Sequence, residues 1–133
     1  MVITKVNHIG IAVSSIDAAL KIYTEALGLK LKDIEVVADQ KVKTAIIPVG
    51  ETKLELIEST DPEGTIARFI KDRGEGLHHI ALEVDKIGES LKDMVSKGIT
   101  LIDQTPRKGV ENTTITFLHP RSTGRVLIEI VET

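Results

Sequence analysis

Apolar and polar positions along the first half of the chain predict one strand, one helix and then three more strands. Residues 6–13 form a mostly apolar run that is typical of a strand. Helical spacing follows, with apolar side chains at Ile16, Ala19, Leu20, Tyr23 and Leu27. Ser14 or Ser15 can cap this helix, and Gly28 ends it. Further strands are predicted at 30–37, 42–49 and 53–58.

The second half of the chain predicts the same order of elements. A strand at 77–84 precedes a helix that Asp85 can cap and Gly98 ends. Its apolar face consists of Ile87, Leu91 and Val95. Strands are then predicted near 99–103, 112–118 and 125–132. Between the halves, residues 61–63 start a short helix that closes at Gly74 and Gly76.

The two halves resemble each other in sequence as well as in pattern. The segment VNHIGIAVSSIDAALK (6–21) matches LHHIALEVDKIGESLK (77–92), and KLELIES (53–59) matches LIEIVET (127–133). Chance similarity between two amphipathic elements is the alternative, but the matches recur in the same order at both ends of each half. We therefore expect an α+β fold in a single domain 1–133. Its two tandem βαβββ modules span 1–59 and 77–133, joined by a linker helix at 60–76.

Composition excludes several classes of function. Lys and Arg number 17 and Asp and Glu 20, so the net charge of −3 argues against nucleic-acid binding. The chain has no cysteine, which excludes disulfides, thiolate metal sites and cysteine nucleophiles. No segment approaches 18 consecutive apolar residues, so we expect no membrane partner and a cytoplasmic location.

Four metal-ligand side chains fall at equivalent positions of the repeat: His8 and His79 on the first strands, Glu55 and Glu129 on the last. A single histidine beside a strand is often structural, and exposure at a sheet edge could explain either glutamate alone. Should the halves curl about a pseudo-twofold axis, the four side chains converge. Two imidazoles and two carboxylates suit Co²⁺, Mn²⁺, Ni²⁺, Fe²⁺, Zn²⁺ or Mg²⁺.

Other candidate residues have two interpretations each. His119 ends a strand before Pro120, where it could contact a substrate or cap a turn. Arg107 could contact phosphates or lie on a solvated surface, as could four other scattered basic residues, Lys43, Lys108, Arg121 and Arg125.

The strands NHIGIAV and LHHIALEV, with the glutamates of LELIE and LIEIVE, resemble the vicinal oxygen chelate superfamily of glyoxalase-like proteins. More narrowly, IARFIKDRGEGLHHIALEV (66–84), FLHP (117–120) and GRVLIE (124–129) resemble the methylmalonyl-CoA epimerase family. The resemblance implies paired βαβββ modules in an incomplete barrel, a homodimer and an acyl-CoA substrate. It also implies a divalent metal ion, with Co²⁺ preferred and Mn²⁺, Ni²⁺, Zn²⁺ or Mg²⁺ as alternatives.

The activity implied by the resemblance is interconversion of (R)- and (S)-methylmalonyl-CoA. A C2 proton is abstracted, and the metal stabilises the enolate that forms. Matched to the family motifs, the metal ligands are His8, Glu55, His79 and Glu129, and Glu129 is also one catalytic base. Some members carry a second carboxylate near position 43 or 44, where this chain has Lys43 and Thr44. The second base is therefore either Lys43, the named candidate, or another acid that reaches the site.

Two alternatives remain open from the sequence. One is a glyoxalase I-type isomerase on the same scaffold, which would share the metal site. The other is a metal-free module that sequesters a hydrophobic drug. Four intact ligand positions and only three aromatic residues weigh against the second alternative.

Overall fold

A computed structural model describes residues 2–133, which form two compact units. One unit is Ile9–His78, and the other combines residues 2–8 with His79–Thr133. The strands are β1 Ile3–Ala12, β2 Asp33–Val37, β3 Val42–Val49, β4 Thr52–Ser59, β5 Gly76–Val84, β6 Arg107–Lys108, β7 Thr114–Leu118 and β8 Ile128–Glu132. The α-helices are α1 Ile16–Leu20, α2 Thr65–Arg73 and α3 Ile87–Ser96. The predicted α+β class is confirmed.

The unit Ile9–His78 contains a sheet in the order β2-β3-β4-β1. Strands β2, β3 and β4 are antiparallel neighbours, whereas β4 pairs in parallel with Ile9–Ala12 of β1. Helix α1 covers one face of this sheet. Its Ile16 and Ala19 are buried in a cluster that includes Ala45, Ile47 and Leu56. Burial of this aliphatic surface holds helix and sheet together.

The other unit repeats this arrangement in the order β5-β8-β7-β6. Strand β5 is parallel to β8, and the remaining pairs are antiparallel. Helix α3 packs on one face through Ile87, Leu91 and Met94, in a cluster that includes Val84, Leu118 and Ile130. The opposite face carries Glu129, because successive side chains of a strand point to opposite faces.

The first predicted helix changes its form partway along. Of the two predicted caps, Ser14 and Ser15, it is Ser15 that caps α1. Its side chain accepts a hydrogen bond from the Ala18 N–H at 3.2 Å. Beyond Leu20 the chain continues as a π-helix over Lys21–Ala26, and Leu27 is exposed rather than part of the packed face. Gly28, with φ of +75°, follows the helix end.

The predicted cap of α3 is wrong. Asp85 accepts from the neighbouring Lys86 N–H at 3.0 Å, and Lys86 precedes the helix without a side-chain cap. The Glu132 carboxylate instead accepts the Ile87 N–H at 2.8 Å. A carboxylate from the adjacent sheet therefore takes over the task of a local cap.

Several boundaries differ from the pattern-based prediction, and the second half of the chain contains the largest differences. Residues 99–103 form no strand, since among them Leu101 makes only an isolated bridge to Leu118. The short strand β6 lies further along, after which a 3₁₀ turn at Val110–Asn112 delays the start of β7. Helix α2 begins at Thr65 rather than near Asp61, which instead accepts the Glu63 N–H in a tight turn.

Among the described residues, no helix combines the length and apolar character needed to cross a bilayer.

Candidate metal centre

Three of the four repeat-equivalent ligands come together in one unit. The Nε2 atoms of His8 and His79 are 3.1 Å apart, and His79 Nε2 lies 3.1 Å from Glu129 Oε1. His8 Nε2 lies 3.6 Å from the same carboxylate oxygen. All three residues are buried, with exposed fractions of 3 % for His8, 6 % for His79 and 5 % for Glu129.

Strand register explains how two of these ligands meet. Ala81 is the direct partner of Glu129 in the parallel pairing of β5 with β8. His79 lies two residues before Ala81, and therefore on the same face of the sheet as Glu129. The small side chain of Ala81 leaves space beside the carboxylate, and Phe117 packs edge-on against the His79 ring with centroids 5.4 Å apart.

The electrostatics of the group favour a bound cation. Burial raises the pKa of the Glu129 carboxyl, but the imidazoles of His79 and His8 lower it more strongly, to about 2. Glu129 is therefore ionised at neutral pH inside the protein. Two imidazole nitrogens and one carboxylate oxygen, all within 4.8 Å of one another, are a donor set that fits a divalent metal ion.

His8 is supported by side chains that the sequence pattern did not predict. Asn7 Oδ1 lies 2.7 Å from His8 Nδ1, and Asn7 Nδ2 donates to Glu83 Oε1 at 2.8 Å. Asn7 is itself buried. The only signal in the sequence was a polar amide directly before a histidine in a mostly apolar strand.

The fourth predicted ligand, Glu55, belongs to the unit Ile9–His78 and is buried there, with 3 % exposed. Its partner in β1 is Gly10, as Ala81 is the partner of Glu129 in the other unit. Each unit thus places a small residue beside a buried glutamate. Glu55 faces away from α1, because the alternate residue Leu56 packs with that helix.

Lys43 does not lie where a base beside Glu55 would need to be. Its Nζ is 3.9 Å from Glu58 Oε2, and Glu58 Oε1 accepts the Ile16 N–H of α1 at 2.7 Å. Lys43 therefore projects from the helix-covered face of the sheet, whereas Glu55 and Thr44 project from the other face. This position on the opposite face argues against Lys43 as the second base beside Glu55.

A different acid lies on the Glu55 face. Glu35 of β2 is the direct partner of Thr44 in the antiparallel register, so the two side chains share a face. The sequence shows an acidic residue at position 35 within β2. Only the strand register shows that Thr44 is its neighbour.

The remaining candidates occupy loop positions. His119 Nδ1 accepts the Arg121 N–H at 3.1 Å, so the ring caps the 3₁₀ turn Pro120–Ser122. Arg107 Nε lies 3.3 Å from Asp103 Oδ2, and 41 % of the arginine side chain is exposed. Neither residue is part of the His8–His79–Glu129 group.

Comparisons with known proteins identify the family of this chain. Residues 7–117 match the family model of the glyoxalase/bleomycin resistance protein/dioxygenase superfamily. The mitochondrial methylmalonyl-CoA epimerase of Dictyostelium discoideum is 31 % identical over 98 % of this chain and 79 % of its own length.

Two solved structures extend the comparison. The methylmalonyl-CoA epimerase of Mycobacterium tuberculosis is 34 % identical, with a TM-score of 0.94, and the match covers 98 % of this chain and 88 % of that one. A variant of the Streptomyces coelicolor enzyme in complex with 2-nitronate-propionyl-CoA is 31 % identical, with a TM-score of 0.96, covering 99 % and 96 %. The chain therefore belongs to the glyoxalase/bleomycin resistance protein/dioxygenase superfamily and, within it, to the methylmalonyl-CoA epimerase family.

Proposed function

We propose that this protein is a metal-dependent methylmalonyl-CoA epimerase that interconverts the (R) and (S) thioesters by moving the C2 proton. The observation that carries the proposal is the buried His8–His79–Glu129 group in a chain that epimerase relatives match almost from end to end. The whole chain 1–133 acts as one catalytic domain in this proposal, with 60–76 as the segment between its two modules.

His8, His79 and Glu129 hold the metal ion in this proposal. Glu55 is the fourth ligand, because it occupies the repeat-equivalent position of Glu129 and is a buried carboxylate beside a small residue. A divalent cation supplies Lewis-acid stabilisation of the negative charge that develops on the thioester oxygen. Among the divalent ions that imidazole and carboxylate donors bind, Co²⁺ is the first candidate in this proposal.

Glu129 is the base for one face of the substrate. The C2–H bond breaks, the proton passes to the carboxylate, and the electron pair delocalises into the thioester as an enolate. A carboxylate with a pKa of about 2 is ionised and ready to accept a proton at neutral pH. Its low basicity means that the C2 proton must be acidified by charge stabilisation on the substrate before transfer becomes fast.

Inversion needs a second acid that returns the proton to the opposite face of C2. We assign this role to Glu35, which shares a sheet face with Thr44 and Glu55, in place of Lys43. Along β3, the residues on that face are Val42, Thr44, Ile46 and Pro48, and none of them is an acid. Glu35 is half-buried, so its carboxyl is accessible to water.

Binding of the CoA portion involves exposed basic side chains in this proposal. Arg107 is the candidate contact for CoA phosphates, because its guanidinium is partly exposed at β6. His119 is the candidate polar contact nearer the acyl group. The functional form is a cytoplasmic homodimer, as the resemblance to the epimerase family implies.

The decisive experiment is isotope exchange at C2 of methylmalonyl-CoA in D₂O, with Co²⁺ supplied and a chelator control. We expect deuterium uptake with the wild-type protein, and a loss of at least about 100-fold with Glu129→Gln. Absence of exchange by the metal-loaded wild type would contradict the proposal. Isomerisation of a glutathione hemithioacetal without C2 exchange would instead favour a glyoxalase I-type activity.

The role of Glu35 is tested by comparing the rates of C2 proton exchange and of inversion. If Glu35 acts on one face only, Glu35→Gln should still exchange the C2 proton of one epimer while inversion falls at least about tenfold. Chiral analysis of the product and mass spectrometry of the deuterated thioester separate these rates. Inversion at the wild-type rate in Glu35→Gln would rule out this assignment.

A further inference from the structure

A relay of polar side chains, from the half-buried Glu83 through the buried Asn7, leads to His8 from the side away from the other two donors. Glu83 Oε1 accepts from Asn7 Nδ2 at 2.8 Å, and Asn7 Oδ1 lies 2.7 Å from His8 Nδ1. His8 Nε2 in turn lies 3.1 Å from His79 Nε2. All four residues belong to the same unit of the protein.

The chemistry of this relay permits only one arrangement of hydrogens. An ionised Glu83 carboxylate can only accept, so the Asn7 amide must direct its NH₂ group towards Glu83. The amide oxygen of Asn7 then faces His8, and this oxygen can only accept. His8 Nδ1 must therefore carry a proton and donate it, which leaves the lone pair of a neutral imidazole on Nε2.

We infer that Asn7, oriented by Glu83, is a positioning residue that fixes His8 in the Nδ1–H tautomer and so presents Nε2 for metal binding. The inference rests on the metal centre of the proposed function. Asn7 acts on the site through the His8 ring, whose Nδ1 lies 2.7 Å from Asn7 Oδ1.

The relay is not a consequence of the internal repeat. The position equivalent to Asn7 is His78, whose ring packs edge-on against Phe69 with centroids 4.9 Å apart. The position equivalent to Glu83 is Ala12, which is buried and apolar. Asn7 and Glu83 therefore support His8, whereas the equivalent positions offer His79 no such pair. Packing of the repeated strands alone does not explain this difference.

The first test reads the tautomer directly in the metal-free protein. Nitrogen-15 NMR of histidine-labelled protein, at a pH where imidazoles are neutral, distinguishes a protonated Nδ1 from a protonated Nε2. We expect His8 to be Nδ1–H in the wild type. A His8 that is predominantly Nε2–H overturns the inference, whatever the outcome of the epimerase assay.

Two variants test the roles of the relay residues. Glu83→Gln keeps the shape of the side chain but can also donate, so the Asn7 amide is free to turn over and His8 should show a mixture of tautomers. Asn7→Leu removes the acceptor of the Nδ1 proton. We expect Co²⁺ affinity, measured by titration without substrate, to fall about 10- to 100-fold in Asn7→Leu and by less in Glu83→Gln.

Thr4→Val provides the matched control. The Thr4 hydroxyl donates to the Glu83 backbone carbonyl at 3.3 Å, so its removal changes a contact of Glu83 other than the one with the Asn7 amide. Thr4→Val should keep the wild-type tautomer and Co²⁺ affinity. If Asn7→Leu fails to fold, Glu83→Gln carries the test, since Glu83 is only half-buried. An unchanged tautomer population in Glu83→Gln then overturns the inference.

Discussion

Glu129 shows how single residues at this site combine opposing physical effects. Burial alone would favour its neutral form, yet two imidazoles within 3.6 Å keep its pKa at about 2. Lys43, by contrast, is a charged residue beside a single carboxylate at a partly exposed position. Both residues are candidate bases from the sequence, and their different surroundings favour Glu129 over Lys43 as a base.

The low pKa of Glu129 predicts how stability depends on pH. Because the carboxyl titrates near 4.5 when unfolded and near 2 when folded, its contribution is complete above pH 4.5 and is lost as the pH falls through 2. Without metal, the wild type should lose up to about 3 kcal/mol more unfolding free energy over this interval than Glu129→Gln. Urea titrations at several pH values, with a chelator present, measure the difference. Parallel pH profiles for the two proteins would show that Glu129 has no such role.

The position of Lys43 predicts that its replacement has little effect on epimerase activity. Lys43→Met removes an ion pair of 3.9 Å on the helix-covered face, and such partly exposed pairs contribute at most about 1 kcal/mol. Epimerase turnover should therefore stay within about threefold of the wild type, because no proton moves through this side chain. A loss of 100-fold or more in the C2 exchange assay would restore Lys43 as a base.

At the scale of elements, the second glutamate of each repeated strand has a structural task. Glu58 accepts the first N–H of α1 and Glu132 accepts the first N–H of α3. The sequence repeat aligned these two residues with each other but gave no sign of their use, since their partners lie 42 and 45 positions away. A cap supplied from another element cannot be recognised from local sequence.

The two caps predict unequal effects on stability. Helix α3 has no local side-chain cap, whereas Ser15 also caps α1. Glu132→Ala should therefore lower the unfolding free energy by about 1–2 kcal/mol, and Glu58→Ala by less. Urea unfolding of both variants tests this order. Glu132→Gln, which keeps an acceptor oxygen, is the control and should lose about half as much as Glu132→Ala. Equal losses in Glu58→Ala and Glu132→Ala would contradict the argument.

The mistaken strand at 99–103 has a physical explanation at this scale. Leu101 is buried, and Ile99 packs against the same cluster as α3. Their apolar character therefore reflects packing against a helix rather than pairing in a sheet. A short apolar run reports burial, and cannot by itself distinguish these two causes.

At the scale of the whole molecule, the metal centre joins residues far apart in the chain. His8 and His79 are separated by 71 positions, yet both belong to the unit formed by residues 2–8 and His79–Thr133. A ligand that binds this folded arrangement and not the unfolded chain must stabilise the fold.

Metal binding should therefore raise the unfolding temperature. With free Co²⁺ at about 100 times its Kd, we expect a gain of about 2.7 kcal/mol, or about 10 °C in Tm. His8→Ala should abolish the gain, and a chelator should reverse it in the wild type. His119→Gln is the matched control, because this histidine caps a surface turn outside the metal group. An identical Tm with and without metal would argue against the site.

The sequence by itself predicted the repeated βαβββ order and the candidates His8, His79, Glu55 and Glu129, because periodicity and repeat position can be read along the chain; the structure groups His8, His79 and Glu129. The sequence also identified Ser15 as a helix cap and Gly28 as a residue that follows the helix end. Tertiary structure decided which side of the sheet each polar residue faces. Lys43 lies on the face that α1 covers, and Glu35 pairs with Thr44. Asn7 and Glu83 lie on the Nδ1 side of the His8 ring. These outcomes depend on strand register and on partners distant in sequence, and a shift of one residue in register would reverse each of the facing assignments.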